Sequence, residues 1–160
     1  MVTKGFTTCL WFDGRAEEAA DFYLSVFEDG KLGRIGRYTD AGPGTAGEVM
    51  VVEFEINGQK FIGLNGGPQF TFSEAVSFQI HCADQDETDH YWAELTKDGG
   101  EEGPCGWLKD KFGLSWQVTP TEALDLVSDP DPKRAARAME AMYGMKKLDV
   151  AEMRRAADAG

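Results

Sequence analysis

In the first half of the chain, the spacing of apolar residues changes from the period of a strand to that of a helix and back. The predicted strands are Phe6–Phe12, Leu32–Tyr38, Glu48–Ile56 and Gln59–Asn65, and the predicted helix is Ala16–Phe27. Asn57-Gly58 between the last two strands suits a two-residue type I′ turn, because both residues tolerate positive φ. Ala41–Gly47 is too rich in glycine for regular structure and is predicted to be a loop.

The same order of strand, helix and strands returns in the second half of the chain. Its predicted elements are the strand Ser77–Cys82, the helix Asp84–Thr96 and a hairpin within Trp107–Val118. Phe22-Tyr23 and Asp29-Gly30 recur as Tyr91-Trp92 and Asp98-Gly99, both at an offset of 69 residues. We therefore predict an internal duplication of about 70 residues.

The last part of the chain has the spacing of helices. Lys133–Tyr143 and Asp149–Ala157 are predicted to be helical, and Asp149 with Glu152 three residues later resembles a capping box. The methionines of this part are predicted to fill gaps in a core rather than to form a cofactor site. They are Met139, Met142 and Met145.

Composition and charge narrow the possible partners. The 160 residues carry 42% hydrophobic content and a net charge of −12, so the chain is globular and repels phosphate backbones; no nucleic-acid partner is expected. No apolar run approaches the ~20 residues of a membrane span, and the first residues lack the apolar core of a signal peptide. We expect a cytoplasmic protein with no membrane partner.

The cysteines lack metal-like spacing and are typical of reduced thiols; they are Cys9, Cys82 and Cys105.

The strand at residues 114–119 alternates between two kinds of side chain. Its apolar side chains, predicted to face a core, are Leu114, Trp116 and Val118. Its polar side chains, predicted to face the other way, are Ser115, Gln117 and Thr119. A row of small polar groups on a strand that is otherwise buried indicates the lining of a pocket.

The duplicated βαβββ pattern and four sequence segments resemble one protein family. The segments are FDGRAEEAADFY, LNGGPQF, CGWLKDKFGLSWQV and DPDPKRAARAMEAM. They resemble the PhnB-like branch of the vicinal oxygen chelate superfamily, often labelled 3-demethylubiquinone-9 3-methyltransferase-like. The superfamily includes glyoxalase I, extradiol dioxygenases and bleomycin-resistance proteins. The resemblance runs from about Gly5 to Ala157.

The resemblance implies an α+β fold of paired βαβββ modules with a pocket on the concave side of the sheet, commonly completed by dimerisation. We therefore expect one domain over residues 1–160 and a homodimer. Module one would span about 5–70, module two about 75–120, and a C-terminal helical tail about 121–160.

Metal-using members of the superfamily carry four ligands, usually His and Glu, on equivalent strands. The resemblance places those positions at Thr7, Asn65, Phe78 and Gln117. Phenylalanine cannot bind a metal, and the other three offer neutral oxygens, which substitute poorly for imidazole and carboxylate. The chain's histidines, His81 and His90, lie elsewhere. We therefore expect no metal and no cofactor.

Two further motifs have a simpler explanation than the chemistry they resemble. Gly42–Gly47 fits G-x-G-x-x-G, but a strand follows it where a dinucleotide or methyl-donor site needs a helix. Asp84–Thr88 fits the D-x-D-x-T signature of phosphoaspartyl hydrolases, but acids at the start of a helix are favoured by the helix dipole. We predict a loop and a helix cap.

Cys105 is a possible reactive thiol. Glycines at positions 103 and 106 leave its sulfur accessible, and Lys109 and Lys111 would stabilise a thiolate. No histidine is placed by the sequence to activate it. Catalysis, redox sensitivity and structural packing all remain open for this residue.

The resemblance and the strand pattern together predict a pocket that binds a small organic molecule. Its predicted residues are Thr7, Cys9, Trp11, Asn65, Phe78, Trp107, Ser115 and Gln117. The alternative for this set is that the polar groups bind one another around buried water. The alternative functions are a metal-dependent lyase or dioxygenase, a true methyltransferase, and a purely structural protein. An enzyme would need a carboxylate in the pocket, for which Glu53 and Glu55 are the candidates.

Overall fold

The computed structural model describes residues 1 and 3–160, which form two compact units, Met1–Thr71 and Phe72–Gly160. We refer to them as the first and the second unit. Within the described residues, no helix combines the length and the apolar character that crossing a membrane requires.

The first unit folds as one βαβββ module. Its elements are β1 (Thr8–Phe12), α1 (Ala16–Val26), β2 (Lys31–Arg37), β3 (Val49–Ile56) and β4 (Gln59–Asn65). They form a sheet in the order β1-β4-β3-β2, with β1 parallel to β4 and the other pairs antiparallel. Asn57 and Gly58 have φ values of 48° and 74°, so the predicted type I′ hairpin is confirmed.

The core of the first unit lies between α1 and the sheet. The α1 side chains that are buried include Ala19, Phe22, Tyr23 and Val26, which recur at helical spacing. Tyr23 stacks on Phe54 with 6.1 Å between ring centroids, and Phe54 stacks on Phe61 at 5.2 Å. The apolar stripe read from the sequence therefore faces the sheet.

The second unit repeats the module. Its elements are β5 (Ser77–Cys82), α2 (Gln85–Thr96), a 3₁₀ turn (Lys97–Gly99), β6 (Glu101–Glu102), β7 (Trp107–Lys109) and β8 (Ser115–Pro120). The sheet order is β5-β8-β7-β6, with β5 parallel to β8, which matches the order and directions of the first sheet. Two sheets of one topology confirm the predicted duplication.

A buried carboxylate organises the hairpin between β7 and β8. Asp110 is 2% exposed. Its Oδ1 accepts hydrogen bonds from the backbone N–H of Phe112 at 2.8 Å and of Leu114 at 3.1 Å. Its Oδ2 accepts from Trp116 Nε1 at 2.9 Å. One side chain therefore fixes both the turn and the indole that anchors β8, a role that the sequence pattern did not indicate.

The helical segment, residues 121–160, consists of α3 (Thr121–Val127), α4 (Pro132–Tyr143) and α5 (Val150–Asp158). Helix α3 was not predicted, because it is short and its N-cap position is a proline without a capping side chain. The other two helices begin as predicted, since Asp131 and Asp149 accept hydrogen bonds from the backbone N–H of Lys133 and Glu152, each at 2.9 Å.

The helical segment has a small core of its own. The buried residues that form it are Ala123, Leu126, Ala138, Leu148, Met153 and Ala157. Met142 and Met145 pack against this core, together with Val127. The predicted packing role of these two methionines is therefore confirmed.

Candidate functional site

The candidate site is a pocket of about 590 Å³ lined by residues of the second unit. Its lining includes the polar face of the sheet and residues of α3 and α4 of the helical segment. Pockets of this volume accommodate small organic molecules.

The polar floor of the pocket consists of Gln79, Ser115, Gln117 and Thr119. Gln79 and Gln117 are register partners on the parallel strands β5 and β8, so their side chains share one face. Gln117 Nε2 donates to Ser77 Oγ at 2.9 Å, and Gln79 Nε2 donates to Thr119 Oγ1 at 3.3 Å. These bonds hold both amides in place beside the cavity. All four floor residues are uncharged.

The alternation predicted for β8 is confirmed. The apolar side chains are buried: Leu114 is 2% exposed, Val118 0% and Trp116 4%. The polar set, Ser115, Gln117 and Thr119, lines the pocket on the other face.

Ser115 carries the most informative atom of the site. The residue is 1% exposed, and its Oγ has no hydrogen-bond partner in the part of the chain that the structure describes. A buried hydroxyl without a partner costs about 1–3 kcal/mol of folding free energy. Because Ser115 lines the pocket, a bound molecule or an ordered water can supply the missing hydrogen bond.

The charged groups at the pocket neutralise each other. Lys109 Nζ and Glu74 Oε1 form an ion pair at 2.5 Å, and both residues line the cavity. The hydrogen bond from Lys109 lowers the pKa of the Glu74 carboxyl, and the same bond raises the pKa of Lys109. Both groups therefore remain ionised at neutral pH, and the residues described in the lining leave no unpaired charge to attract an ionic ligand.

Cys105 lies in the pocket lining together with Trp107, so the residue with the possible reactive thiol is part of the site. Its backbone φ of 56° is uncommon for a residue with a side chain. Lys109, expected to support a thiolate, is engaged with Glu74 instead. None of the described residues that line this pocket is a histidine. The described lining therefore offers this thiol no imidazole base, and its carboxylate, Glu74, is paired with Lys109.

The predicted site residues of the first unit have structural partners or lie at its surface. Asn65 Oδ1 accepts from Ala16 N–H at 2.9 Å at the start of α1, and its Nδ2 donates to Val49 O at 3.1 Å. Trp11 Nε1 donates to Gly67 O at 2.8 Å, and its ring meets Phe70 edge-on at 4.9 Å. Cys9 is exposed on β1.

Thr7 and Glu53 line a smaller cavity of about 420 Å³ in the first unit. There Glu53 Oε1 accepts from Arg34 at 2.8 Å, and that hydrogen bond lowers the pKa of Glu53. Glu55 lines the same cavity and pairs in register with Lys60 on β4. The carboxylate of Glu53, one of the two candidates for a catalytic base, is thus paired with a guanidinium.

Phe78 and Gln117 lie on opposite faces of the second sheet. Phe78 is the register partner of Trp116, and the two rings are 5.6 Å apart. Neighbouring residues on a strand point to opposite faces, so Gln117 is directed away from this pair. The structure brings together Trp107, Ser115 and Gln117 of the predicted set and places Phe78 on the core side of β5.

The four positions expected for metal ligands do not fit a metal. Phe78 has no donor atom, both amide atoms of Asn65 bind the backbone, and Gln117, bonded to Ser77 through Nε2, offers only a neutral amide oxygen. Among the described residues, no group of three or more His, Cys, Asp or Glu is arranged to hold an ion. The donor set, neutral oxygens and a phenyl ring, is unlike the one that transition metals select.

Comparison with known proteins identifies the family. A sequence model described as 3-demethylubiquinone-9 3-methyltransferase matches residues 4–119. This chain belongs to that family. A PhnB protein from Bacillus cereus is 36% identical to it, with a TM-score of 0.64, over 73% of this chain and 99% of that one. The family match ends at residue 119, whereas the resemblance of the four sequence segments extends to about Ala157 in the helical segment.

More distant structures share the fold of this 3-demethylubiquinone-9 3-methyltransferase family member. A protein from Pseudomonas aeruginosa is 18% identical, with a TM-score of 0.58, over 71% of this chain and 95% of that one. The fosfomycin resistance protein FosX from Listeria monocytogenes is 15% identical, with a TM-score of 0.52, over 72% and 91%. The predicted α+β fold of the vicinal oxygen chelate superfamily is thus confirmed. No curated protein matches the chain.

Neither motif that suggested other chemistry forms the matching site in this family member. Gly42–Gly47 lies in the loop between β2 and β3, with no helix after it. A methyl-donor or dinucleotide fingerprint requires a helix N-terminus there. Asp84 caps α2, because its Oδ1 accepts from Glu87 N–H at 2.9 Å. Both predictions, a loop and a helix cap, are confirmed.

Proposed function

We propose that this protein binds a small, neutral organic molecule in the pocket of the second unit, without a metal ion. The observation that supports this most strongly is Ser115 Oγ, a buried hydroxyl in the lining of the cavity to which no described residue provides a hydrogen bond. The neutral amides of the floor support the choice of an uncharged ligand, since a buried ionic group would need a counter-charge.

Replacing Ser115 by alanine should separate binding from stability. We expect Ser115→Ala to raise the free energy of unfolding by about 1–2 kcal/mol, because it removes a buried hydroxyl that lacks a partner. The affinity for a neutral ligand with a hydrogen-bonding group should fall about 2- to 10-fold, because one hydrogen bond is lost. Urea denaturation and titration with the fluorescent diarylamine N-phenyl-1-naphthylamine measure the two quantities.

Ser128→Ala is the matched control for that test, because Ser128 is exposed at the end of α3. It should change neither quantity. If Ser115→Ala lowers stability and leaves the affinity unchanged, Ser115 is a structural residue and the proposed ligand contact is wrong.

Metal titration tests the second half of the proposal. Calorimetric titration with Zn²⁺, Mn²⁺, Fe²⁺ and Ni²⁺ should show no stoichiometric binding, because the residues at the family's ligand positions are poor donors. Stoichiometric binding that disappears in Gln117→Ala would contradict this half and restore the metal-dependent alternative.

The homodimer and the cytoplasmic location expected from the sequence remain part of the proposal. Leu32 and Ile35 on β2 are 53% and 41% exposed, and apolar side chains on an edge strand favour a partner surface. Light scattering behind size-exclusion chromatography should give twice the 17.6 kDa chain mass. A single-chain mass at micromolar concentration would count against the dimer.

A further inference from the structure

The family match ends at residue 119, and the PhnB protein from Bacillus cereus, 99% of which is aligned, covers only 73% of this chain. The helical segment therefore lies beyond the part of the chain that the family model describes. Six of its residues nevertheless line the pocket: Ala123, Leu124, Val127, Met142, Tyr143 and Leu148. We propose that the helical segment determines ligand specificity, by requiring a ligand with a bulky apolar body of about two rings and one hydrogen-bonding edge. This inference rests on the proposed function and names the class of ligand.

We call four of these residues the apolar wall: Leu124 and Val127 from α3, and Met142 and Tyr143 from α4. Leu124, Val127 and Met142 are only partly buried, and Tyr143 is 66% exposed. When a ligand removes apolar side chains of a cavity from water, the free energy of binding becomes more favourable. The wall therefore favours a hydrocarbon or aromatic surface, while the polar floor opposite favours a hydrogen-bonding group.

The wall is held in place by the chain between α4 and α5. Cys105 N–H donates to Met145 O at 2.8 Å, and Gly106 N–H donates to Lys146 O at 2.7 Å. The side chain of Gln85 continues this attachment, because its Nε2 donates to Leu148 O at 2.9 Å and its Oε1 accepts from Val150 N–H at 3.0 Å.

A wall that is fixed before the ligand arrives discriminates by shape, because little ordering remains to be done on binding. Four hydrogen bonds from the module to the backbone of residues 145–150 make the segment part of the site rather than an independent appendage. The ligand must then match the distance between floor and wall.

Two wall residues can be changed with little effect on the core of the helical segment. Leu124 and Tyr143 line the pocket but do not belong to that core, whereas Val127 and Met142 pack against it. Leu124→Trp fills the cavity, and Tyr143→Ala removes an exposed aromatic surface. Ala136→Trp is the control, because Ala136 is exposed on α4 and is not part of the lining.

The experiment compares two neutral probes that carry one hydrogen-bond donor each, N-phenyl-1-naphthylamine with a large apolar body and phenol with a single ring. Wild-type protein should bind the larger probe at least ~10-fold more tightly, since it buries more apolar surface. Leu124→Trp should weaken the larger probe at least ~10-fold and phenol less than ~3-fold, because the inserted indole removes space that only the larger probe needs. Tyr143→Ala should weaken the larger probe about 3-fold, and Ala136→Trp should change neither.

Two outcomes would overturn the inference and leave the proposed function standing. One is equal affinity of the two probes for wild-type protein. The other is that neither wall variant changes the affinity while Ser115→Ala still weakens binding. Failure of wild-type protein to bind either probe would overturn the proposed function, and the inference with it. Circular dichroism confirms that each variant is folded. If Leu124→Trp does not fold, Tyr143→Ala decides the inference, because that side chain is largely exposed.

Discussion

Asp110→Ala should lower the free energy of unfolding of the second unit by about 3–5 kcal/mol. The substitution removes a buried carboxylate that accepts three hydrogen bonds, from Phe112 N–H, Leu114 N–H and Trp116 Nε1. Leu114 and Trp116 are buried, so their donors would be left without water as a substitute. Urea denaturation followed by circular dichroism measures the loss.

Two further variants define the origin of that loss. Asp110→Asn keeps one carbonyl oxygen but turns an amide towards one of the donors, so we expect roughly half of the effect. Asp125→Ala removes an exposed carboxylate on α3 and should change stability by less than about 0.5 kcal/mol. A value for Asp110→Ala within about 1 kcal/mol of wild type would show that the hairpin does not depend on this carboxylate.

Gly106→Ala should cost about 2–4 kcal/mol and also weaken probe binding, because Gly106 lies where the helical segment meets the module. Its φ is +82°, and an added Cβ would lie 3.0 Å from Val118 O and 3.1 Å from Leu148 Cγ. The same residue donates its N–H to Lys146 O. An alanine would strain the backbone and push Leu148 away, which would displace the apolar wall.

Gly113→Ala is the matched control for Gly106→Ala. Gly113 has nearly the same φ, +84°, but an added Cβ would meet nothing within 4 Å. It should show only the backbone cost, about 1–2 kcal/mol, and no change in binding. Equal losses for the two glycines, with binding intact in both, would mean that the contact with Leu148 does not position the wall.

The features predicted correctly from the sequence are those that local patterns determine. Asn57-Gly58 specifies its turn through two positive φ values, and β8 shows its two faces through strict alternation. The duplicated module follows from residue pairs repeated at one offset. In each case, neighbours along the chain carry the information.

The features that were missed depend on contacts between distant residues. Phe78 pairs with Trp116, so its side chain points to the other face of the sheet from that of Gln117. A shift of one residue in an alignment reverses the face assigned to a strand residue. Asn65 looked like a site residue, but its amide holds the start of α1. The apolar wall arises from packing of helices after residue 120, which no pattern within β8 indicates.

Asp110 shows a third kind of limit. Its partners lie two, four and six residues along the chain, so the information is local. The carboxylate becomes buried only once the hairpin is formed, and a charged residue at a hairpin tip is more often exposed. Its role therefore follows from the register of β7 and β8 and not from its residue type.

A crystal structure of the protein with N-phenyl-1-naphthylamine tests the central claim most directly. We predict that its two-ring naphthyl group lies between the polar floor and the apolar wall, with the amine nitrogen about 2.7–3.2 Å from Ser115 Oγ. No metal ion should take part in the contact. A pocket that holds only ordered water bonded to Ser115, with the probe bound elsewhere or absent at saturating concentration, would contradict the account.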